Sequence, residues 1–231
     1  MKTIAIIAAG GQGKRMGRPK QFLKIAGKPM LWWSLFAFQG CEAIDGIIVV
    51  VNKDDMLKVK RFKFSKLLAV VAGGKERQDS VYNGLQALPA DTGIVAIHDG
   101  ARPLVTIDVI NQAVCAAKQG GAVVVGVPVR DTIKQMTNDK CQMSNEGKNI
   151  IGKTLDRSQL WAAQTPQVFK KEILLKAYKK GYNKSLATDD AVLVEKMGVP
   201  VKMVMGYYDN IKITTPEDLA VAKTLLKKRG V

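Results

Sequence analysis

The sequence predicts an α/β fold: a Rossmann-like, mostly parallel sheet flanked by helices. Three observations carry that prediction. Apolar, β-branched runs recur along the chain, they are continuous rather than alternating, and helix-like segments lie between them. A continuous apolar run suits a strand covered on both faces, as in a parallel sheet sandwiched by helices. Strand and helix in alternation is the pattern of a doubly wound sheet.

The predicted strands, in order, are "TIAII" (3–7), "GIIVVV" (46–51), "KLLAVVAG" (66–73), "GIVAIHD" (93–99), "GAVVVGVPV" (121–129) and "VKMVMG" (201–206). Helices are predicted over 29–39, 78–88, 106–119, 171–180, 189–197 and 216–229. Two of them have legible starts. In "TTPEDLAVAKTLLKK", Thr215 is the N-cap, Pro216 opens the helix, acids fill the first turn and lysines the last. In "TDDAVLVEKMG", Thr188 precedes the acids and Gly198 is the stop. One stretch breaks the rhythm: "RDTIKQMTNDKCQMSNEGKNIIGKTLD" is polar and turn-rich. A structureless loop of that length is unusual inside a compact domain, so the expectation is a protruding β-hairpin arm over 131–155. Such an arm has little core and unpaired edges, and it therefore needs a partner. The whole chain, 1–231, is read as a single domain whose arm makes a homodimer.

A hydrophobic fraction of 47% is that of an ordinary globular protein, and no apolar run approaches the length of a membrane span. The N-terminal apolar stretch is too short for a signal peptide and runs directly into glycines and charges. Three scattered cysteines, Cys41, Cys115 and Cys141, show no metal-ligand spacing and suit a reducing compartment. The expected location is the cytoplasm, with no membrane partner. A formal charge of +16 raises the possibility of a nucleic-acid partner, but much of the charge lies in helix-like surface stretches such as "KVKRFKFSK" and "LLKKRG", and aromatics make up only 6%. A basic surface that draws in anions, small anionic substrates included, explains the charge better.

Chemistry enters with "AAGGQGKRMGRPK", which follows the first strand. Glycines let a backbone approach a ligand closely, and lysine and arginine grip phosphate. The stretch alone reads equally well as a solvated loop. Its spacing, G-x-G-x-x-x-G from Gly11, is one residue too long for the dinucleotide fingerprint, and it is no Walker A loop. What remains is a glycine turn that could drape Arg15 and Lys20 over a polyphosphate, with Lys14 and Arg18 in the same loop.

This stretch looks like a nucleotide-sugar pyrophosphorylase signature, and the blocks after it narrow the likeness. "GGKERQDSV" (73–81), "HDGARP" (98–103), "PVRDTIK" (128–134), "TLDRSQLWAAQTPQVF" (154–169), "ATDDA" (187–191) and "DNIKITTPEDL" (209–219) follow in order. Together they resemble the 2-C-methyl-D-erythritol 4-phosphate cytidylyltransferases of the non-mevalonate isoprenoid pathway, over nearly the whole chain. The resemblance implies transfer of a cytidylyl group from CTP to methylerythritol phosphate, with magnesium or another divalent cation. It assigns catalysis to Arg15, Lys20, Arg157 and Lys212, and nucleotide binding to Ala8, Ala9, Gly10, Gly13, Gly73, Gly74, Arg77 and Ser80. It assigns the second substrate to Arg102, Thr132, Arg157, Thr165, Thr188 and Lys212, with Thr132 and Arg157 supplied by the neighbouring subunit's arm. Asp99 is the candidate metal carboxylate, and Asp209 is a weaker second one. Gly100 stands where the family commonly has alanine.

The reaction suits the composition. A phosphate nucleophile is already ionised near neutral pH and needs no general base. The chain has a single histidine, His98, expected to be structural, and no evident Ser–His–Asp set. The barrier is the meeting of two polyanions, which fixed cations lower. Trp161 and the pair Trp32 and Trp33 are expected to pack rather than stack on a ligand. The rival readings are a ribitol 5-phosphate cytidylyltransferase and, in another class, a non-enzymatic basic nucleic-acid-binding protein.

Overall fold

The computed structural model describes residues 1–11, 19–137, 150–181 and 188–230. Among these, β1 (Lys2–Ala8) is followed by two short strands, β2 (Lys24–Ile25) and β3 (Lys28–Pro29), and by α1 (Met30–Gly40). Then come β4 (Gly46–Val51), α2 (Met56–Lys60), β5 (Leu67–Ala72), α3 (Arg77–Gln86), β6 (Thr92–Asp99), α4 (Ile107–Gly120) and β7 (Ala122–Pro128). The arm strands are β8 (Lys134–Met136) and β9 (Ile151–Thr154). The chain then continues through β10 (Trp161–Lys170), α5 (Lys171–Gly181), α6 (Ala191–Glu195), β11 (Lys202–Met205) and α7 (Pro216–Lys228).

Seven strands form the central sheet in the order β11-β7-β10-β6-β1-β4-β5. β1 pairs in parallel with β4 and β6, β4 with β5, and β7 with β11. Successive residues of a strand point to opposite faces, which explains the continuous apolar runs. In β4, Ile47, Val49 and Val51 pack under α1 and α4 with Leu35, Phe38 and Ile110. Val50 faces the other way, with Val81 and Leu85 of α3 and Tyr178 of α5. Both faces are therefore core. A third cluster seats α7, through Ala222 and Leu226, against Trp33, Leu104 and Ile213.

Every predicted strand and helix is present, with ends shifted by a few residues. The Thr215 start of α7 is a full capping box: the Thr215 side chain accepts from Asp218 N, while the Asp218 carboxylate accepts from the Thr215 backbone. Gly198 ends its segment at φ +75, where a side chain would be strained. The start of α6 differs from expectation. Asp189, not Thr188, accepts from a first-turn amide, that of Val192 at 3.1 Å, and Asp190 occupies the cap position.

Four elements are absent from the sequence reading, the short β2, β3 and α2 and the long β10. Of these β10 shapes the sheet. β10 runs antiparallel between β6 and β7, so the sheet is mixed although mostly parallel. Its register breaks between Ala163 and Gln167, and the Thr165–Pro166 peptide within that break is cis. β8 and β9 pair antiparallel, Lys134 opposite Thr154, as a separate ribbon that is exposed along its length. The middle of the predicted arm, 138–149, lies outside the described residues, as does Cys141. Among the described residues no helix is long and apolar enough to cross a membrane.

Candidate active site

Ligands of open α/β sheets bind beyond the carboxyl ends of the strands, where the strand order reverses. Here that point lies at β1, whose neighbours β4 and β6 lead the chain in opposite directions. Past the strand ends the backbones stay close: Ala9 N donates to Val50 O at 2.7 Å, Gly73 N to Val51 O at 2.7 Å and Gly100 N to Ala8 O at 2.9 Å. Gly10 and Gly73 face each other so tightly that a Cβ on Gly73 would lie 3.4 Å from the Gly10 Cα and 3.0 Å from Ser80 Oγ. Ser80 is buried, accepts from Gly74 N at 3.1 Å and donates to Glu76 O at 3.2 Å. Its hydroxyl thus locks the glycine turn to α3, whose N-cap is Glu76.

Two clefts open along this edge. The first, about 330 Å³, is lined by Gly10, Lys20, Gly74 and Ser80 among others. The second, about 230 Å³, is lined by Arg102, Thr165, Gln167 and Thr188 among others. Three side chains, Arg77, Asp99 and Lys212, belong to both linings and so form the wall between the clefts.

That wall is a chain of alternating charge. Lys212 Nζ lies 2.7 Å from Asp99 Oδ2, and Arg77 Nε donates to Asp99 Oδ1 at 3.0 Å. Arg77 Nη1 also lies 2.8 Å from Asp190 Oδ2, as an ion pair outside hydrogen-bond alignment. Tyr178 Oη donates to Asp190 Oδ1 at 2.6 Å. Burial alone would push the Asp99 pKa up; Arg77 and Lys212 outweigh it and hold the carboxyl well below the usual carboxylate range. Burial likewise opposes the charge on Arg77, but Asp190 and Asp99 more than restore it and raise its pKa.

Beside the wall, β10 delivers Thr165. The register break turns its hydroxyl toward β6, a common use of irregular strand positions. Asp99 N donates to Thr165 Oγ1 at 3.1 Å, and Thr165 Oγ1 lies 2.9 Å from His98 Nδ1. His98 Nε2 lies 3.1 Å from Arg102 O, which can only accept. The hydrogen of His98 is therefore on Nε2, and Thr165 must donate its own hydrogen to Nδ1. Toward the cleft, Thr165 then has only a lone pair left. Burial lowers the His98 pKa to about 4, so the ring is neutral at physiological pH.

Lys20, Lys212, Ala8, Ala9, Gly10, Gly74, Arg77, Ser80 and Asp99 all border the first cleft, and Gly73 lies in the turn beneath it. Lys20 Nζ donates to Ile213 O at 2.8 Å, which ties the end of the glycine segment to the irregular stretch before α7. Arg102, Thr165 and Thr188 border the second cleft. Arg102 donates to Asn210 O and Ala163 O, and its buried Nε has no partner among the described residues. Arg15, Gly13, Lys14 and Arg18 lie outside the described residues. Thr132 and Arg157 are exposed at the foot of the arm and line neither cleft; Arg157 donates to Arg130 O at 2.6 Å. Asp209 is held by Arg229 at 2.6 Å and borders neither cleft.

Among the described residues no group of three potential metal ligands exists. Asp99 is the buried carboxylate in the cleft, and magnesium commonly takes one or two carboxylates with substrate phosphates completing its shell. The residues fit an ion brought by a nucleotide, provided that Asp99 exchanges one of its two cationic partners for it. Trp33 packs as expected, its Nε1 donating to Ile25 O, whereas Trp161 remains 39% exposed next to the arm. Sequence reasoning gave no role to Asp190, Tyr178 or Gln21. Asp190 stands in the "ATDDA" block and could have been flagged there, whereas nothing local marks Tyr178. Gln21 is buried at the first cleft, and its Nε2 has no partner among the described residues.

A doubly wound sheet that holds lysines, an arginine and one buried carboxylate over a glycine turn is the framework of a nucleotidyltransferase. The family model described as 2-C-methyl-D-erythritol 4-phosphate cytidylyltransferase (IspD) matches residues 3–228, and the chain belongs to that family. It is an enzyme of cytidylyl transfer. It is 48% identical to the 2-C-methyl-D-erythritol 4-phosphate cytidylyltransferase of Caldanaerobacter subterraneus subsp. tengcongensis, covering 99% of this chain and 100% of that one. It is 45% identical to the same-named protein of Alkaliphilus oremlandii, covering 99% and 96%. Among solved structures, the 4-diphosphocytidyl-2C-methyl-D-erythritol synthase of Anaerococcus prevotii superposes with a TM-score of 0.85 at 31% identity, over 98% of this chain and 96% of that one. The 2-C-methyl-D-erythritol 4-phosphate cytidylyltransferase of Thermus thermophilus superposes with a TM-score of 0.79 at 30% identity, over 98% and 100%.

Proposed function

We propose that CTP occupies the first cleft and methylerythritol 4-phosphate the second, and that they react across the Arg77–Asp99–Lys212 wall. The observation that carries this reading is that these three side chains, and no others, line both clefts among the described residues. A phosphate oxygen of the polyol attacks the α-phosphorus of CTP in line. The new P–O bond forms as the bond to the β-phosphate bridging oxygen breaks, and pyrophosphate departs with that electron pair. No proton has to move, so no base is needed. The work is charge compensation. Lys20 and Arg15 would hold the triphosphate, and the Lys212 side chain, 41% exposed, is open enough to turn from Asp99 toward the reacting phosphate. The Nε of Arg102, without a partner among the described residues, offers a donor to the second substrate, and the Thr165 lone pair suits a polyol hydroxyl rather than a phosphate oxygen. A divalent cation carried on the triphosphate would be held by Asp99 and would neutralise charge at the transferring phosphoryl group. The arm pairs two subunits, and the neighbour's Thr132 and Arg157 complete the second cleft. The exposed Ile133, Met136, Ile150, Ile151 and Trp161 supply the apolar contact such a pairing needs. The enzyme works in the cytoplasm, where CTP is available.

The test is pyrophosphate release from magnesium, CTP and either methylerythritol phosphate or ribitol 5-phosphate. Release with methylerythritol phosphate is expected, and Lys20→Ala should lower turnover about a hundredfold or more, as loss of a transition-state donor does. Release with ribitol phosphate alone would overturn the substrate assignment.

A further inference from the structure

A buried charge that no part of the mechanism uses, Asp190, lies behind Arg77. Asp190 is 1% exposed and is held from three sides. Its backbone N donates to Gln167 Oε1 at 3.0 Å, as does Ala191 N at 3.1 Å, while Gln167 Nε2 donates to Asp189 at 2.8 Å. Its Oδ1 receives the Tyr178 hydroxyl at 2.6 Å, which leaves Oδ2 to face Arg77 Nη1 at 2.8 Å. Arg77 has its other contact, through Nε, on Asp99. A guanidinium is planar and rigid, so a carboxylate fixed at one edge sets where its other edge points. Fixing Arg77 fixes the rotation of the Asp99 carboxylate, whose second oxygen holds Lys212. The wall thus rests on a buried foundation formed by α5 and the start of α6.

We propose that Asp190, anchored by Tyr178, is a positioning residue for cytidylyl transfer: it sets Arg77 and, through Asp99, the placement of the Lys212 ammonium between the two substrates. Arg77 in this arrangement grips carboxylates on both sides, and its role is to hold the wall. The proposal rests on the cytidylyl-transfer reading. It separates from a merely structural role through coupling. Residues that act through one another lose less when the second is removed after the first, whereas independent losses multiply.

The experiment is a double-mutant cycle, with kcat and both KM values measured by pyrophosphate release from wild type, Asp190→Asn, Lys212→Met and the double variant. Circular dichroism confirms the fold of each. Asp190→Asn alone is expected to lower kcat about tenfold, within the range of coupling between contacting residues, with both KM values moved less than about threefold. In the Lys212→Met background the same change should cost less than about threefold. Tyr178→Phe keeps the buried volume and should act in the same direction by about threefold; if Asp190→Asn does not fold, Tyr178→Phe runs the same cycle. Equal losses in both backgrounds, or an Asp190→Asn enzyme with wild-type kcat, would overturn the proposal. No pyrophosphate from the wild type would instead overturn the cytidylyl-transfer reading, and the positioning role with it.

Discussion

Acidification should destabilise this protein through its one histidine before its carboxylates begin to titrate. His98 is fully buried, donates from Nε2 to Arg102 O and accepts at Nδ1 from Thr165, so the fold requires the neutral ring. Burial brings its pKa to about 4, against about 6.5 for the ordinary group. A folded pKa below the unfolded one means that the unfolded chain binds the proton first. The stability is fully present above about pH 6.5 and is lost as pH falls toward 4. Linkage with these two values gives a loss of about 2 kcal/mol between pH 7 and pH 5. Urea unfolding at pH 7, 6 and 5, on wild type and on His98→Gln, measures it. Glutamine can offer an amide donor and a carbonyl acceptor in place of the two ring nitrogens, but it does not titrate. The carboxylates contribute equally to both proteins, so the difference in slope isolates the ring; because the chain has no other histidine, proton NMR can follow the same event directly. A wild-type slope between pH 7 and 5 that matches the variant's would refute a neutral, Nε2-protonated His98 and, with it, the acceptor role assigned to Thr165.

Other consequences can be checked with standard assays. Gly73→Ala would bring a methyl to 3.0 Å from Ser80 Oγ and 3.4 Å from the Gly10 Cα; the KM for CTP should rise about tenfold, the order expected of a clash that costs about 1–3 kcal/mol, with kcat less affected. Thr215→Ala removes the cap of α7 and should lower stability by about 1 kcal/mol without changing KM for either substrate, read by urea unfolding and steady-state kinetics. Removal of residues 135–152 should give a monomer by sedimentation with impaired turnover; a fully active monomer would sink the shared-site reading.

How far the sequence could be read depended on how local each signal was. The parallel strands were legible because both faces of the sheet are covered, so β1 and β4 read as unbroken apolar runs. The α7 cap was legible because a capping box is written within four residues. β10 was not, because "WAAQTPQVF" carries polar residues and a proline through its register break, and it is a strand by virtue of β6 and β7 on either side. The same distinction holds in the site. Lys20, Asp99 and Lys212 sit in ordered motifs and could be named as charges. That Asp99 joins Arg77 to Lys212, and that Asp190 stands behind Arg77, depends on contacts across 22 and 113 residues of chain that no local pattern encodes. Asp209 shows the same dependence, since its ion pair with Arg229 joins positions 20 residues apart.

The antiparallel course of β10 has a mechanical consequence. Its first residues, Trp161 to Ala163, pair with the end of β7 near the root of the arm, and its last, Gln167 to Lys170, are clamped between β6 and β7. Thr165 sits at the joint between these two grips. Two residues of chain thus separate the last pair at the root of the arm, Ala163 with Gly126, from the hydroxyl that accepts from Asp99 N, so the arm and the site share one strand.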